Sequence, residues 1–286
     1  MPTFTTPQPI SVTLDLIAGD VKIVASDRSD TIVEVRSKGA SGSASAAELT
    51  RVEFSDGRLL IKGPKEHSFF SSNKSRPIDV TIELPNGSNV QGRAKVGQLR
   101  VEGNLRECQF KTTAGDISVD HCGALTLETG IGDITVGRAA GQIEIAAASG
   151  FVSIQAIDGT AVIKHATGNT SIDEMTGELR LSAAHGDIAV GRLAGTAVAK
   201  TAKGNIRFND VVRGSIQLET AYGELEIGIR EGTAAWLDVS TRYGRVRNSL
   251  NTTAGPGQTN DTAKVRARTT YGDIAIRRPN RTDLSN

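Results

Sequence analysis

Aromatic residues make up only 4% of the chain and there are just two cysteines, Cys108 and Cys122, so neither an aromatic-rich core nor a disulfide framework can organise it. No stretch reaches the roughly 18 to 20 apolar residues that cross a bilayer as a helix. The opening MPTFTTPQPI lacks the basic start and apolar run of a secretory signal, so direct membrane insertion is not expected and a cytoplasmic location is. Charge of one sign is also missing: 33 basic and 32 acidic side chains leave a formal net charge of +1, which supplies no field to hold nucleic acid. The one local excess is late, at Arg242, Arg245, Arg247, Arg266, Arg268, Arg277, Arg278 and Arg281, and is read as a solvated basic end. Catalytic signatures are lacking too, with no GxSxG elbow, phosphate-binding GxxxxGK[ST] loop or HExxH helix.

Glycine is abundant, at 31 residues, and it is periodic. VGQLRV from Val96, AGDISV from Ala114, IGDITV from Ile131, SGFVSI from Ser149, TGNTSI from Thr167, HGDIAV from His185 and KGNIRF from Lys203 repeat one pattern. YGELEI from Tyr222, YGRVRN from Tyr243 and YGDIAI from Tyr271 continue it. Anchoring glycines recur every 17 to 19 residues from Gly97 to Gly223, after which insertions widen the spacing to Gly244 and Gly272. A second series, Gly123, Gly141, Gly159, Gly177, Gly195 and Gly214, falls nine residues before the anchors.

Within each repeat the apolar residues alternate, which is the period of a strand and not of a helix. Ile117 and Val119, Ile188 and Val190, or Leu225 and Ile227 form one inward column pair; Leu125 and Leu127, Ile216 and Leu218, or Leu237 and Val239 form the facing wall. The pattern predicts an all-β, single-stranded parallel β-solenoid over 96–276 with 18-residue coils, each of two strands and two glycine corners. Residues 1–95 read as an irregular β-rich entry and capping section, with Phe69 and Phe70 folded back as a cap, and 277–286 as a polar tail.

Several residue series invite a chemical role. Asp20, Asp116, Asp133, Asp187 and Asp273 follow corner glycines and could stack as calcium ligands, but Phe151, Asn169 and Asn205 interrupt them. Capping of corner backbone N–H groups explains Asp and Asn alike. A column of Thr112, Thr129, Ala147, Ala183, Thr201, Thr220, Thr241 and Thr269 resembles an ice-binding array, yet it shares the parity of the inward Leu and Ile and is expected inside. His165 occupies that column, and neither it nor His67, His121 or His185 has zinc-ligand spacing. Cys108 takes an interior leucine position. No cofactor, metal site or catalytic residue is expected.

Tyr222, Tyr243 and Tyr271 each precede an anchor and should stack along one edge, as a cover for the insertion-bearing coils or as a contact surface. They are the candidate interaction surface. The GDI.V repeats, the IDVTIELPNGSNV segment and the early LDLIAGDVKIVAS strand together resemble the bacterial family called domain of unknown function 4097, which includes adhesin-like proteins known as toastracks. The resemblance covers about Val12 to Ile276 and implies a β-solenoid without known catalytic residues. Members of that family are often envelope-associated.

The expected function is a non-enzymatic, adhesin-like scaffold that binds a protein or glycan partner. A carbohydrate-active β-helix enzyme and a self-assembling cytoskeletal solenoid are the alternatives. An exposed terminal coil would template further strands. With Pro279 and the arginines of the tail expected to cover the carboxyl end, a monomer or small homo-oligomer is expected.

Overall fold

The computed structural model describes residues 1–38, 46–64, 77–250 and 261–279. Every regular element among them is a strand: β1 (Thr3–Thr5), β2 (Ser11–Ser26), β3 (Asp30–Ser37), β4 (Arg51–Ser55), β5 (Arg58–Lys62), β6 (Ile78–Pro85), β7 (Asn89–Val96), β8 (Leu99–Ala114), β9 (Ile117–Ile131) and β10 (Ile134–Ser149). The series continues with β11 (Val152–Thr167), β12 (Thr170–His185), β13 (Ile188–Lys203), β14 (Ile206–Tyr222), β15 (Leu225–Ile229), β16 (Ala234–Tyr243), β17 (Val246–Asn248), β18 (Thr262–Tyr271) and β19 (Ile274–Arg277). Two compact units, Met1–Ala139 and Ala140–Asn286, divide the chain. Phe69, Phe70, His67 and Arg281 lie outside the described residues.

Each regular coil is one long strand bent at its second glycine, where two separate strands were expected, and it breaks only at the anchor. At the anchor the backbone leaves L-residue space: Gly115 has φ +144°, and a Cβ there would sit 2.0 Å from the Gly97 carbonyl oxygen of the neighbouring coil. The second glycine has a positive φ as well, +114° at Gly177, but there the hydrogen-bond ladder runs on through it. Gly177 pairs in register with Gly159 on one side and Gly195 on the other.

In unit 1, β8 and β9 pair in parallel, Leu99 with Ile117 and Cys108 with Leu125. The early strand β2 is itself a full coil of this stack: Val12 pairs with Val90 of β7, and Val21 with Leu99 of β8. Its other edge pairs in parallel with β5 and β6. Among the described residues of this unit only β1, β3 and β4 are antiparallel, on β3, β6 and β5 in turn, and they line the edge that those strands would otherwise expose.

In unit 2, β11 to β14 stack in sequence order. The order then breaks. β18 pairs with β14 on one side and β16 on the other, and β19 lies between β15 and β17. Among the described residues of unit 2 the outermost coil is therefore β16 with β17, not the coil last in sequence. Arg277, the first residue of the tail, pairs across to Gly228 and bonds Glu226 at 2.7 Å, inside the stack, while tail residues 280–286 lie outside the described residues.

The inward columns are as expected, with Ile117, Ile188, Val190, Ile216, Leu218, Leu225 and Ile227 each at most 1% exposed. Each such side chain contributes about 1.5–3 kcal/mol by leaving water. Leu237 and Val239 are the exception and stay half-buried, because β16 has a described neighbour on one side only.

Candidate functional site

The tyrosine edge follows from register. Tyr222 faces Tyr271 across β14 and β18, and Tyr271 faces Tyr243 across β18 and β16, so the ladder runs 222, 271, 243 and not in chain order as expected. Ring centroids are 4.9 Å and 4.7 Å apart, with planes 2° and 11° from parallel. That separation is the rung spacing of the sheet itself. All three rings are roughly half exposed, and the Arg242 guanidinium lies 5.3 Å from the Tyr243 centroid.

Stacking decides what the ladder can contact. The middle ring has both faces against its neighbours, and each outer ring has one, so the surface presents ring edges and a row of hydroxyls. A sugar ring needs an open aromatic face to pack on; ring edges and hydroxyls suit hydrogen bonding to a polypeptide.

The corner carboxylates and amides are occupied as caps. Gln98 N–H donates to Asp20 at 3.0 Å, Asp133 to Asp116 at 2.9 Å, Asp187 to Asn169 at 2.9 Å, Asn205 to Asp187 at 2.7 Å and Arg245 to Asp273 at 2.9 Å. Each bond ties one coil to the next. Burial works to raise the Asp20 carboxyl, but hydrogen bonds from Lys38 and the Gln98 N–H outweigh it and hold the group below its usual range. Among the described residues, no three His, Cys, Asp or Glu side chains gather as a metal site.

The threonine column points inward. Hydroxyls of Thr220, Thr241 and Thr269 donate to the carbonyls of Gly204, Gly272 and Gly223 at 3.0, 2.9 and 3.0 Å. His165, 3% exposed, fills the same column; its Nδ1 lies 3.0 Å from Thr170 Oγ1, while its buried Nε2 has no hydrogen-bond partner. Burial lowers its pKa, with the backbone at Gly150 and Thr167 acting the other way. Both cysteines are buried and free, and burial pushes the Cys122 thiol up to about 12. Neither is poised as a nucleophile.

Among the described residues, unit 1 carries shallow depressions, of which two are well formed. One, of about 210 Å³, is lined by Ser11, Thr13, Asn89, Gln91, Glu107 and Gln109; its one carboxylate, Glu107, accepts from Gln109 at 2.7 Å. The other, of about 280 Å³, contains Asp15, held by both Nε and an Nη of Arg93 at 2.9 and 3.1 Å. Neither offers the paired carboxylates that glycoside cleavage requires.

The stacking order also gathers groups that the sequence disperses. Asp238 sits opposite Arg266, and Trp236 opposite Lys264, although 28 residues separate each pair along the chain. The widened glycine spacing after Gly223 was the only trace of this in the sequence.

The profile of the family Toastrack DUF4097 matches residues 10–277. The chain belongs to the toastrack family. Three solved structures align along nearly the whole toastrack chain. A candidate cell adhesion protein from Clostridium sporogenes ATCC 15579 is 11% identical, with 97% of this chain and 98% of that one covered and a TM-score of 0.22. A candidate lipid binding protein from Parabacteroides distasonis ATCC 8503 is 10% identical over 96% and 95%, with a TM-score of 0.46. A candidate adhesin from Bacteroides fragilis NCTC 9343 is 11% identical over 96% and 95%, with a TM-score of 0.35. At these scores the toastrack assignment rests on the family profile. No curated protein matches the chain.

Proposed function

We propose that this toastrack protein is a non-enzymatic scaffold that binds a protein partner through the exposed edge of unit 2, with Tyr222, Tyr271 and Tyr243 at the contact. The observation that carries this reading is the half-exposed three-ring stack, a costly surface to leave in water unless something covers it. The cross-coil bonds of the corner carboxylates support it, since they leave those groups no catalytic role. A glycan partner is the weaker form of the same reading, because the ring faces are largely taken by one another.

Replacing Tyr222 by a photoreactive phenylalanine analogue in cells tests the proposal. One reproducible crosslinked protein is expected, absent when Tyr243 and Tyr271 are both changed to serine. Purified protein should turn over neither uronic-acid polymers, common glycans nor esters, with or without calcium. Turnover abolished by changing one surface carboxylate would overturn the reading.

A further inference from the structure

Insertion of β18 between β14 and β16 builds a basic face that no single stretch of sequence contains. Along β18, Lys264, Arg266 and Arg268 alternate outward while Val265 and Ala267 are fully buried. On the adjoining rung, β16 presents Trp236, Asp238 and Arg242. Arg266 and Arg268 share the one carboxylate, Asp238, at 3.0 and 3.9 Å. Four cations thus face a single anion among the outward side chains of these two strands. In a chain whose charges otherwise balance, that local excess is a docking field for a negatively charged partner.

We propose that this face binds an acidic polypeptide segment in extended conformation. The first argument is spacing: outward residues two apart on a strand repeat every ~6.7 Å, and an extended peptide with alternating acids repeats its carboxylates at the same interval. The second is composition, since Trp and Arg, exposed together on one face, are among the residues that dominate protein–protein contacts. Trp236 is 54% exposed, with Arg266 and Arg268 outward on the adjoining rung.

The third argument separates a peptide from an acidic glycan. The Lys264 ammonium lies 5.1 Å from the Trp236 ring centroid and so occupies one of the two faces that a pyranose could stack on. The rest of the face offers mainly guanidinium hydrogen bonding, which suits carboxylates on a flexible backbone. The inference deepens the scaffold reading by giving the chemistry of its partner, but it rests on different side chains from the tyrosine ladder.

Trp236 is the chain's one tryptophan, so its emission reports directly on this face. Full-length protein is titrated at low salt with a twelve-residue peptide alternating Glu and Thr. The same peptide with Gln for Glu, and a size-defined oligogalacturonate, serve as comparators. The acidic peptide should change Trp236 emission saturably, with affinity falling as salt rises; the Gln peptide should not bind. Arg242→Gln, Arg266→Gln and Arg268→Gln together should weaken binding at least tenfold. Lys164→Gln, Arg180→Gln and Arg192→Gln together remove equal charge from other rungs of unit 2 and should leave it within about twofold. Circular dichroism melts of both triple variants check that each is folded, and Trp236→Ser, read by anisotropy of a labelled peptide, gives an independent loss.

No saturable binding of the acidic peptide would overturn the proposal, as would equal losses in the two triple variants. Tighter binding of oligogalacturonate, lost on the same three substitutions, would reassign the face to a glycan and overturn the peptide claim. Failure here with the Tyr222 crosslink intact would leave the scaffold reading standing, whereas loss of the crosslink with peptide binding intact would remove the ladder and keep this face.

Discussion

At the scale of single residues the interior of a solenoid is unforgiving, because each position is repeated above and below and has little room to adapt. His165 stands where other coils use threonine or alanine, and its Nε2 is buried without a partner. Burial holds the folded ring's pKa below its ordinary value. Well above pH 6.5 the ring is neutral folded or unfolded and contributes nothing to pH dependence. As pH falls below that value the unfolded chain takes up a proton that the folded ring resists, so stability drops, by at most about 1.4 kcal/mol per pH unit, until the folded ring itself protonates. Urea unfolding at pH 7.5 and pH 5.5 should show this loss in the native chain. His165→Thr restores the hydroxyl of the column and should flatten the slope while leaving stability at pH 7.5 unchanged or higher. An unaltered slope would place the titrating group elsewhere.

A strand in this fold depends on two things, an inward apolar row and a glycine that lets the next coil approach. Ile188 is 1% exposed between Thr170 and Ile206, so Ile188→Asp buries an unpaired carboxylate and should cost about 4 kcal/mol or more. Ser171, outward on the adjoining strand, should accept aspartate within about 0.5 kcal/mol. Gly115→Ala forces a Cβ to 2.0 Å from a carbonyl oxygen at φ +144° and should cost about 3 kcal/mol or more. Thermal melts rank the three, and equal tolerance of Ile188→Asp and Ser171→Asp would refute the register. These rows were legible in the sequence because period-two alternation and corner glycines are local properties. The inward threonines and the Asp and Asn caps were legible for the same reason, each following from position relative to one glycine. The stacking order was not. Neighbouring repeats pair in order only while their connections are short, and between Gly223 and Gly272 the connections lengthen enough to let β18 slip between β14 and β16. The place of β2 was hidden likewise, since its partners begin at Arg58 and Asn89, far beyond any repeat spacing. The tyrosines were found as a set, but their order and their basic neighbours were not, because both depend on that exchange.

For the whole molecule, stability is a sum of similar interfaces, and the sum is uneven where a coil has a neighbour on one side only. Within unit 2, β13 is paired along its length on both edges, and its Ile188, Val190, Leu193, Ala197 and Ala199 are all at most 1% exposed. β16 is the opposite case. Among the described residues it pairs with β18 alone, Leu237 and Val239 are half-buried, and Trp236 is largely outside. The turn that leads into it is held from the tail: Arg278 donates to the carbonyls of Ile229 and Thr233 at 3.2 Å, and Thr233 Oγ1 donates to Val212 O at 2.7 Å. Beneath the turn, Asp210 is 2% exposed and paired with Arg230. Opening of β16 and β17 should therefore be a local event, well below the free energy of global unfolding. Hydrogen exchange should find amides of Ala234–Tyr243 and Val246–Asn248 exchanging at least a hundredfold faster than those of Ile188–Lys203. Arg278→Ala removes the bonds to the turn carbonyls and should speed exchange in β16 further, with β13 unchanged. It should not raise light scattering, since Arg278 holds a turn and does not shield an edge. Uniform exchange across β13 and β16 would show that the last coil in space is as firmly held as the interior. Polymerisation of Arg278→Ala would instead restore the tail as an edge cover and favour end-to-end assembly.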